Sequence, residues 1–281
     1  MNITLRRARP EDREKAIWVE SKSTPNLSYV PYVFDMFVSD EVGEFSVAEL
    51  NGEIVGTGKY TIVPDGSAWL ETLRVIPERQ GLGIGKCFYK RWLDIARSQD
   101  VKTLRMYTGV ENVVSEGLAK RFDFKLAGTF RGASLPCQPM EVRAKSSFRQ
   151  VTDPDMAISL LMPLREKWGG FLVMNRTFYS LTPALCTDLA EKKMVYEDPT
   201  SHSVITLGAR FMPEQALHIG AFGDDAKICL DFALQMSAER HPGHLSCLFP
   251  PTATDIQDTL TNYGFRLDKS DYIVMEINLD K

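Results

Sequence analysis

A chain of 281 residues, 44% of them hydrophobic, can bury one large core or two ordinary ones, and its net charge of −4 argues against a surface that tracks nucleic-acid phosphates. No apolar run approaches the roughly 20 residues that a membrane span requires, so neither a nucleic acid nor a membrane is expected as a partner. The opening Met1 to Arg7 reads as a strand rather than an export signal. Cys87, Cys137, Cys186, Cys229 and Cys247 are scattered, odd in number and without a Cys-x-x-Cys pair, which fits reduced thiols in a cytoplasmic protein.

In chain order, residues 3–8 read as a first strand, and Pro10, Glu11 and Asp12 start a helix that should reach about Ser21. Ser23, Thr24, Pro25 and Asn26 break it. Tyr29, Tyr32, Phe34 and Phe37 crowd the following segment, which Pro31 interrupts again. Residues 45–50 and 54–62 flank Asn51-Gly52, a strong hairpin signal. Pro64, Asp65 and Gly66 then turn the chain into a strand over 69–75. After the segment 79–86, a helix begins near Ile84 with Ile84, Phe88, Trp92 and Ile95 on one face, which is core packing. A strand over 103–108, a helix over 113–122 capped by Asn112, and a strand over 126–130 complete the first half.

The segment Gln80, Gly81, Leu82, Gly83, Ile84, Gly85, Lys86 organises the rest. Three glycines at alternate positions allow a tight turn with uncovered N–H groups, and the following helix presents its positive end there, which makes an anion cradle. Spacing selects the ligand. A nucleoside-triphosphate loop ending at Gly85-Lys86 would need Gly where Gln80 stands and a hydroxyl where Cys87 stands. A dinucleotide fingerprint would need a third glycine at Lys86. The pattern that fits is Gln-x-x-Gly-x-Gly between a strand and an amphipathic helix, and here the chain resembles the GNAT acetyltransferase family, whose pyrophosphate loop for acetyl-coenzyme A has this form. The order of elements over residues 1–145 is also that of the family.

The resemblance implies acetyl-coenzyme A as co-substrate, bound by the backbone of Leu73, Arg74 and Val75, by Gln80, Gly81, Leu82, Gly83, Ile84, Gly85 and Lys86, and by Asn112, whose role as helix cap explains it equally well. It makes Glu71, expected on the same strand face as Leu73, the candidate general base; a solvated strand carboxylate is the plainer alternative. The family's acid tyrosine falls on Ala119, and its glycine on Asp123. The proton for the thiolate would then come from water or from Tyr107, for which core packing is the plainer role of a strand aromatic. The acceptor is expected under the segment joining the first two helices, against Tyr29 and Tyr32.

The second half echoes the first. Residues 147–155 parallel 3–12, and Tyr263 to Leu267 parallels Phe122 to Leu126 at an offset of 141 residues, which also places Lys227 on Lys86. The helix there carries Ile228, Phe232 and Met236. Where the cradle would be stand Asp224 and Asp225, carboxylates that repel a pyrophosphate and suit a helix cap instead. His202, His218, His241 and His244 show no metal spacing, so no metal is expected. The fold class expected is α/β (α+β): two tandem GNAT-like domains, each a mixed, largely antiparallel sheet flanked by helices, with residues 1–145 catalytic and 146–281 degenerate. The activity implied is N-acetyl transfer to a small amine or amino acid. A protein or peptide N-acetyltransferase and a non-catalytic acyl-coenzyme A sensor are the alternatives, and the sequence leaves homodimerisation open.

Overall fold

The computed structural model describes residues 2–25, 28–137 and 146–280. The chain forms β1 (Ile3–Arg7), a 3-10 turn at Pro10–Asp12, α1 (Arg13–Ser23) and α2 (Val30–Val38). The crowded aromatic segment is therefore itself a helix: Pro31 sits in its first turn, where a missing N–H costs nothing, and Val30, Val33, Phe34 and Phe37 recur on its buried face. Strands β2 (Glu44–Leu50), β3 (Glu53–Ile62) and β4 (Ala68–Val75) form a meander. Its first turn is made by Asn51 and Gly52, both at positive φ. Then come α3 (Ile84–Ser98), β5 (Thr103–Gly109), α4 (Val113–Lys120) and β6 (Lys125–Pro136).

The second half runs β7 (Arg149–Val151), α5 (Pro154–Leu161), β8 (Phe171–Met174), β9 (Thr177–Ser180), α6 (Pro183–Glu191), β10 (Val195–Asp198), β11 (Ser203–Gly208), β12 (Ala216–Gly223), α7 (Ala226–Arg240), β13 (His244–Phe249), α8 (Thr254–Asn262), β14 (Arg266–Leu267) and β15 (Tyr272–Asn278). By contacts the chain divides into two compact units: Met1–Met106 with Val113–Lys125 and Met275–Lys281, and Tyr107–Asn112 with Leu126–Val274. The boundary expected between residues 145 and 146 adjoins residues 138–145, outside the described residues.

In the first unit the strand order is β1-β2-β3-β4-β5, antiparallel except for the parallel β4–β5 pair. The C-terminal residues lie beside β5: Leu279 N–H donates to Lys102 O at 2.7 Å. Helix α3 covers one face of the sheet, seated closely because Gly58 has no side chain; a Cβ there would stand 2.7 Å from Trp92 and 2.8 Å from Phe88. Helices α1 and α2 cover the other face, where Phe34 and Phe37 meet Phe45 of β2 edge-on at 5.8 and 5.6 Å.

In the second unit the order is β6-β13-β12-β11-β10-β7, with β14 also on β6, antiparallel except for β12–β13. The short β8–β9 hairpin turns through Asn175 and Arg176 at positive φ; without a glycine in the turn, its sequence signal is weak. It lies against β12, since a Cβ on Gly220 would come within 2.7 Å of Leu172 Cγ. Helix α7 buries a different stripe from the one expected. Ile228 and Met236 are half-exposed, and the face turned inward holds Cys229, Phe232, Ala233 and Ser237. Small residues bring α7 close enough for Cys229 Sγ to donate to Val204 O at 3.4 Å. All five cysteines are free, and burial lifts the Cys186 thiol to about 11 and the Cys229 thiol to about 12, so neither is a ready nucleophile.

Candidate active site

Three glycines in the loop after β4 do different work. Gly81 and Gly83 have φ of +77° and +88°, backbone that a side chain strains, and open space surrounds both. Gly85 instead needs room, because a Cβ there would stand 2.8 Å from Leu118 of α4. Gln80 ties the loop to the strand, its Nε2 donating to Val75 O at 3.0 Å. The first backbone bond of the helix runs from Cys87 N–H to Gly83 O, and among the described residues no N–H from Gly81 to Lys86 donates to a backbone carbonyl. Six consecutive donors without a backbone acceptor thus stand at the positive end of α3.

The neighbouring strand edge is open as well. Pairing of β4 with β5 stops after Ala68–Leu104 and Trp69–Arg105, so residues 70–75 form no ladder with β5. Here β4 also bulges. Lys59 pairs with Glu71 and Thr57 with Arg74, so that Thr72 and Leu73 together stand opposite Gly58 alone, and Thr72 takes a left-handed φ of +53°.

The bulge corrects the expected alternation. Glu71 and Leu73 do not share a face: Leu73 turns toward α3, where its Cδ2 is 4.0 Å from the Cβ position of Gly85. Arg74 joins Glu71 on the face beneath α1 and α2, because each lies beside alternate residues of β3. That face is polar. Thr61 Oγ1 donates to Glu71 Oε1 at 2.7 Å, Thr57 Oγ1 donates to Thr72 O at 3.3 Å, and buried Lys59 pairs with Asp40. Above it, Glu20 of α1 is 1% exposed and accepts the N–H groups of Tyr29 and Val30, so it caps α2. Burial raises the Glu20 pKa, against the pull of those N–H groups and of Arg74.

The remaining candidates separate. Tyr29 is half-buried and meets Phe37 edge-on at 6.4 Å, whereas Tyr32 is 64% exposed on α2. Tyr107 and Asn112 belong to the second unit. There the Tyr107 ring lies 6.0 Å from Phe178 and 6.1 Å from Tyr272, and Asn112 precedes α4 in the chain with its N–H on Gly109 O. Ala119 is fully buried at the position where a tyrosine was expected. The side chains of Arg74, Glu20 and Thr61 escaped the sequence reading. Only the break in strand alternation could have pointed to the first of them.

In the second unit the corresponding helix start is occupied from within. Asp225 accepts from Lys227 N–H at 2.9 Å and Ile228 N–H at 3.2 Å, the capping expected of it. Among the described residues no group of three His, Cys, Asp or Glu could hold a metal ion, and no helix is long and apolar enough to cross a membrane.

Residues 10–124 match the model of the acetyltransferase (GNAT) family. The chain carries a GNAT-family domain. No curated protein sequence matches it. Among solved structures it is similar to a GCN5-related N-acetyltransferase from Sphaerobacter thermophilus, at 11% identity over 99% of this chain and 96% of that one, with a TM-score of 0.66. It is also similar to a tandem GNAT protein from the clavulanic acid biosynthesis pathway, at 12% identity over 99% of both chains, with a TM-score of 0.60. A GCN5-related N-acetyltransferase from Kribbella flavida is 13% identical over 99% of this chain and 71% of its own, with a TM-score of 0.57. At these identities the likeness concerns the fold. The family match covers the first half of the chain, and acyl transfer is the chemistry of that family.

Proposed function

We propose that the GNAT domain transfers an acetyl group from acetyl-coenzyme A to the amine of a small molecule or amino acid by direct attack. The observation that carries this reading is the placement of Glu71 at the bulge of β4, beside an open strand edge that leads to the N–H cradle of residues 81–86. The cradle fits a pyrophosphate, since its donors are uncovered and nothing stands within 4 Å of the Gly81 and Gly83 Cβ positions. The open edge of β4 from Leu73 to Val75 offers backbone groups to the pantetheine arm.

Glu71 takes one proton from the acceptor ammonium, the freed nitrogen lone pair forms the new C–N bond as the C–S bond breaks, and the nitrogen sheds its second proton to water to become the amide. The thiolate leaves and takes its proton from water, because Ala119 offers none. Thr61 holds the Glu71 carboxylate in place through its hydroxyl.

Thiol release from acetyl-coenzyme A, followed with a dithiol reagent over a panel of amines and peptides, tests the reading. Glu71→Gln should lower turnover about 10²- to 10⁴-fold, remove the acidic limb of the rate profile and spare coenzyme affinity. An unchanged rate and profile would return Glu71 to an ordinary strand residue. Turnover of peptides alone would favour a peptide acetyltransferase, and coenzyme binding without any turnover would favour a sensor.

A further inference from the structure

Arg74 carries an unspent charge. The residue is half-buried; its Nε is fully buried and, among the described residues, has no hydrogen-bond partner, and its Nη1 donates at 3.2 Å to the carbonyl of its own neighbour, Leu73. Leaving a buried charged donor unpaired is costly, and such a group persists where something else holds it. The Glu20 carboxylate feels the Arg74 charge, but its oxygens accept the N–H groups of Tyr29 and Val30 rather than the guanidinium. The other cations of this sheet face are committed. Lys59 is bound to Asp40 and Tyr60 O, and Arg105 to Asp65, Ser67 and Glu276. Among the described residues on this face, Arg74 has the guanidinium donors to spare.

Its position gives those donors a use. Arg74 and Glu71 project from the same face of β4, beside Thr57 and Lys59, two residues of β3 apart, a separation of about 7 Å along the strand. One end of this pair removes protons from an amine, and the other offers a planar fork suited to a carboxylate. We infer that Arg74 binds the carboxylate of the acceptor, which is a free amino acid lying with its amine at Glu71 and its carboxylate on the Arg74 guanidinium. A peptide N-terminus has an amide where this carboxylate would be, so the same contact excludes peptides. The inference rests on the N-acetyltransferase reading of the GNAT domain.

The experiment measures thiol release from acetyl-coenzyme A with the full chain, using L-amino acids and, for each, its carboxamide. Wild type should turn over the best free acid with kcat/KM about 10²-fold above its amide, the scale of one charge-assisted pair. Arg74→Leu should erase that ratio by raising KM for the acid while leaving KM for acetyl-coenzyme A unchanged, which a merely structural role would not do. Arg74→Lys should restore part of the ratio, and together with wild type it decides the matter if Arg74→Leu does not fold. Amides turned over as readily as acids by wild type, or equal losses on both in the Arg74 variants, would overturn the inference while acetyl transfer stands. Coenzyme binding with no thiol release from either series would overturn the N-acetyltransferase reading itself, and the inference with it.

Discussion

Arg105 and Glu276, separated by 171 positions in the chain, meet at 2.6 Å between Nε and Oε2 inside the first unit. The Arg105 side chain is 7% exposed and also binds Asp65 and Ser67, each at 2.8 Å, which fixes the turn that launches β4. Beside it Lys102 pairs with Asp280 at 3.0 Å. Residues 275–281 therefore belong to the first unit, where they lie beside β5. Glu276→Gln should cost about 1–2 kcal/mol, since Arg105 keeps Asp65 and Glu276 is one-third exposed. Deleting residues 275–281 should unfold the first unit or abolish acetyl-coenzyme A binding. Urea unfolding and calorimetric titration check both; a deletion variant with wild-type affinity would show the strand to be dispensable.

Gly83 stands at φ +88° immediately before α3, with no atom of the described residues within 4 Å of its Cβ position. A side chain there strains the turn and projects into the space that the free N–H groups face. Gly83→Val should leave a folded protein with at least a hundredfold weaker acetyl-coenzyme A binding by calorimetry. Near wild-type affinity in a folded variant would remove the loop from the coenzyme site.

The loop and the order of elements were legible because both depend on local spacing. Glycines at 81, 83 and 85, a strand before and an amphipathic helix after leave few alternatives. Arg74 was not legible as a side chain, because regular alternation puts it opposite Glu71, and only the bulge at Thr72 reverses that. Helix α2 was hidden by Pro31, whose helix-breaking reputation does not apply in a first turn. The Arg105–Glu276 pair lies beyond any local pattern: it joins a strand of the first half to the end of the chain.

The asymmetry of the two halves has a stoichiometric consequence. At the start of α7, Asp225 already fills the N–H groups of Lys227 and Ile228, and the Asp224 carboxylate adds repulsion toward any phosphate. One acetyl-coenzyme A should bind per chain, which isothermal titration reads directly. A second site of similar affinity would show that the second unit also holds coenzyme.

His218 makes the second unit sensitive to acid. It is 6% exposed on β12, its Nε2 is buried without a hydrogen-bond partner among the described residues, and burial, then the charges of His244 and Arg176, lower its pKa from 6.5 to about 3. Below pH 6.5 the unfolded chain takes up a proton that the folded imidazole refuses, so stability is complete above that pH and is lost as the pH falls toward 3. Over the whole window the loss is on the order of 5 kcal/mol. Asp198 and Asp255, whose pKa values are lowered in the same unit, add to acid loss with the same sign, so wild type alone does not isolate the histidine. His218→Gln removes the titration while keeping a polar side chain of similar size. Urea unfolding of the second unit at pH 7 and pH 5 should show wild type losing clearly more stability on acidification than His218→Gln. Equal losses in the two proteins would mean that His218 is protonated in the folded state near pH 6, with a partner that the burial argument overlooks.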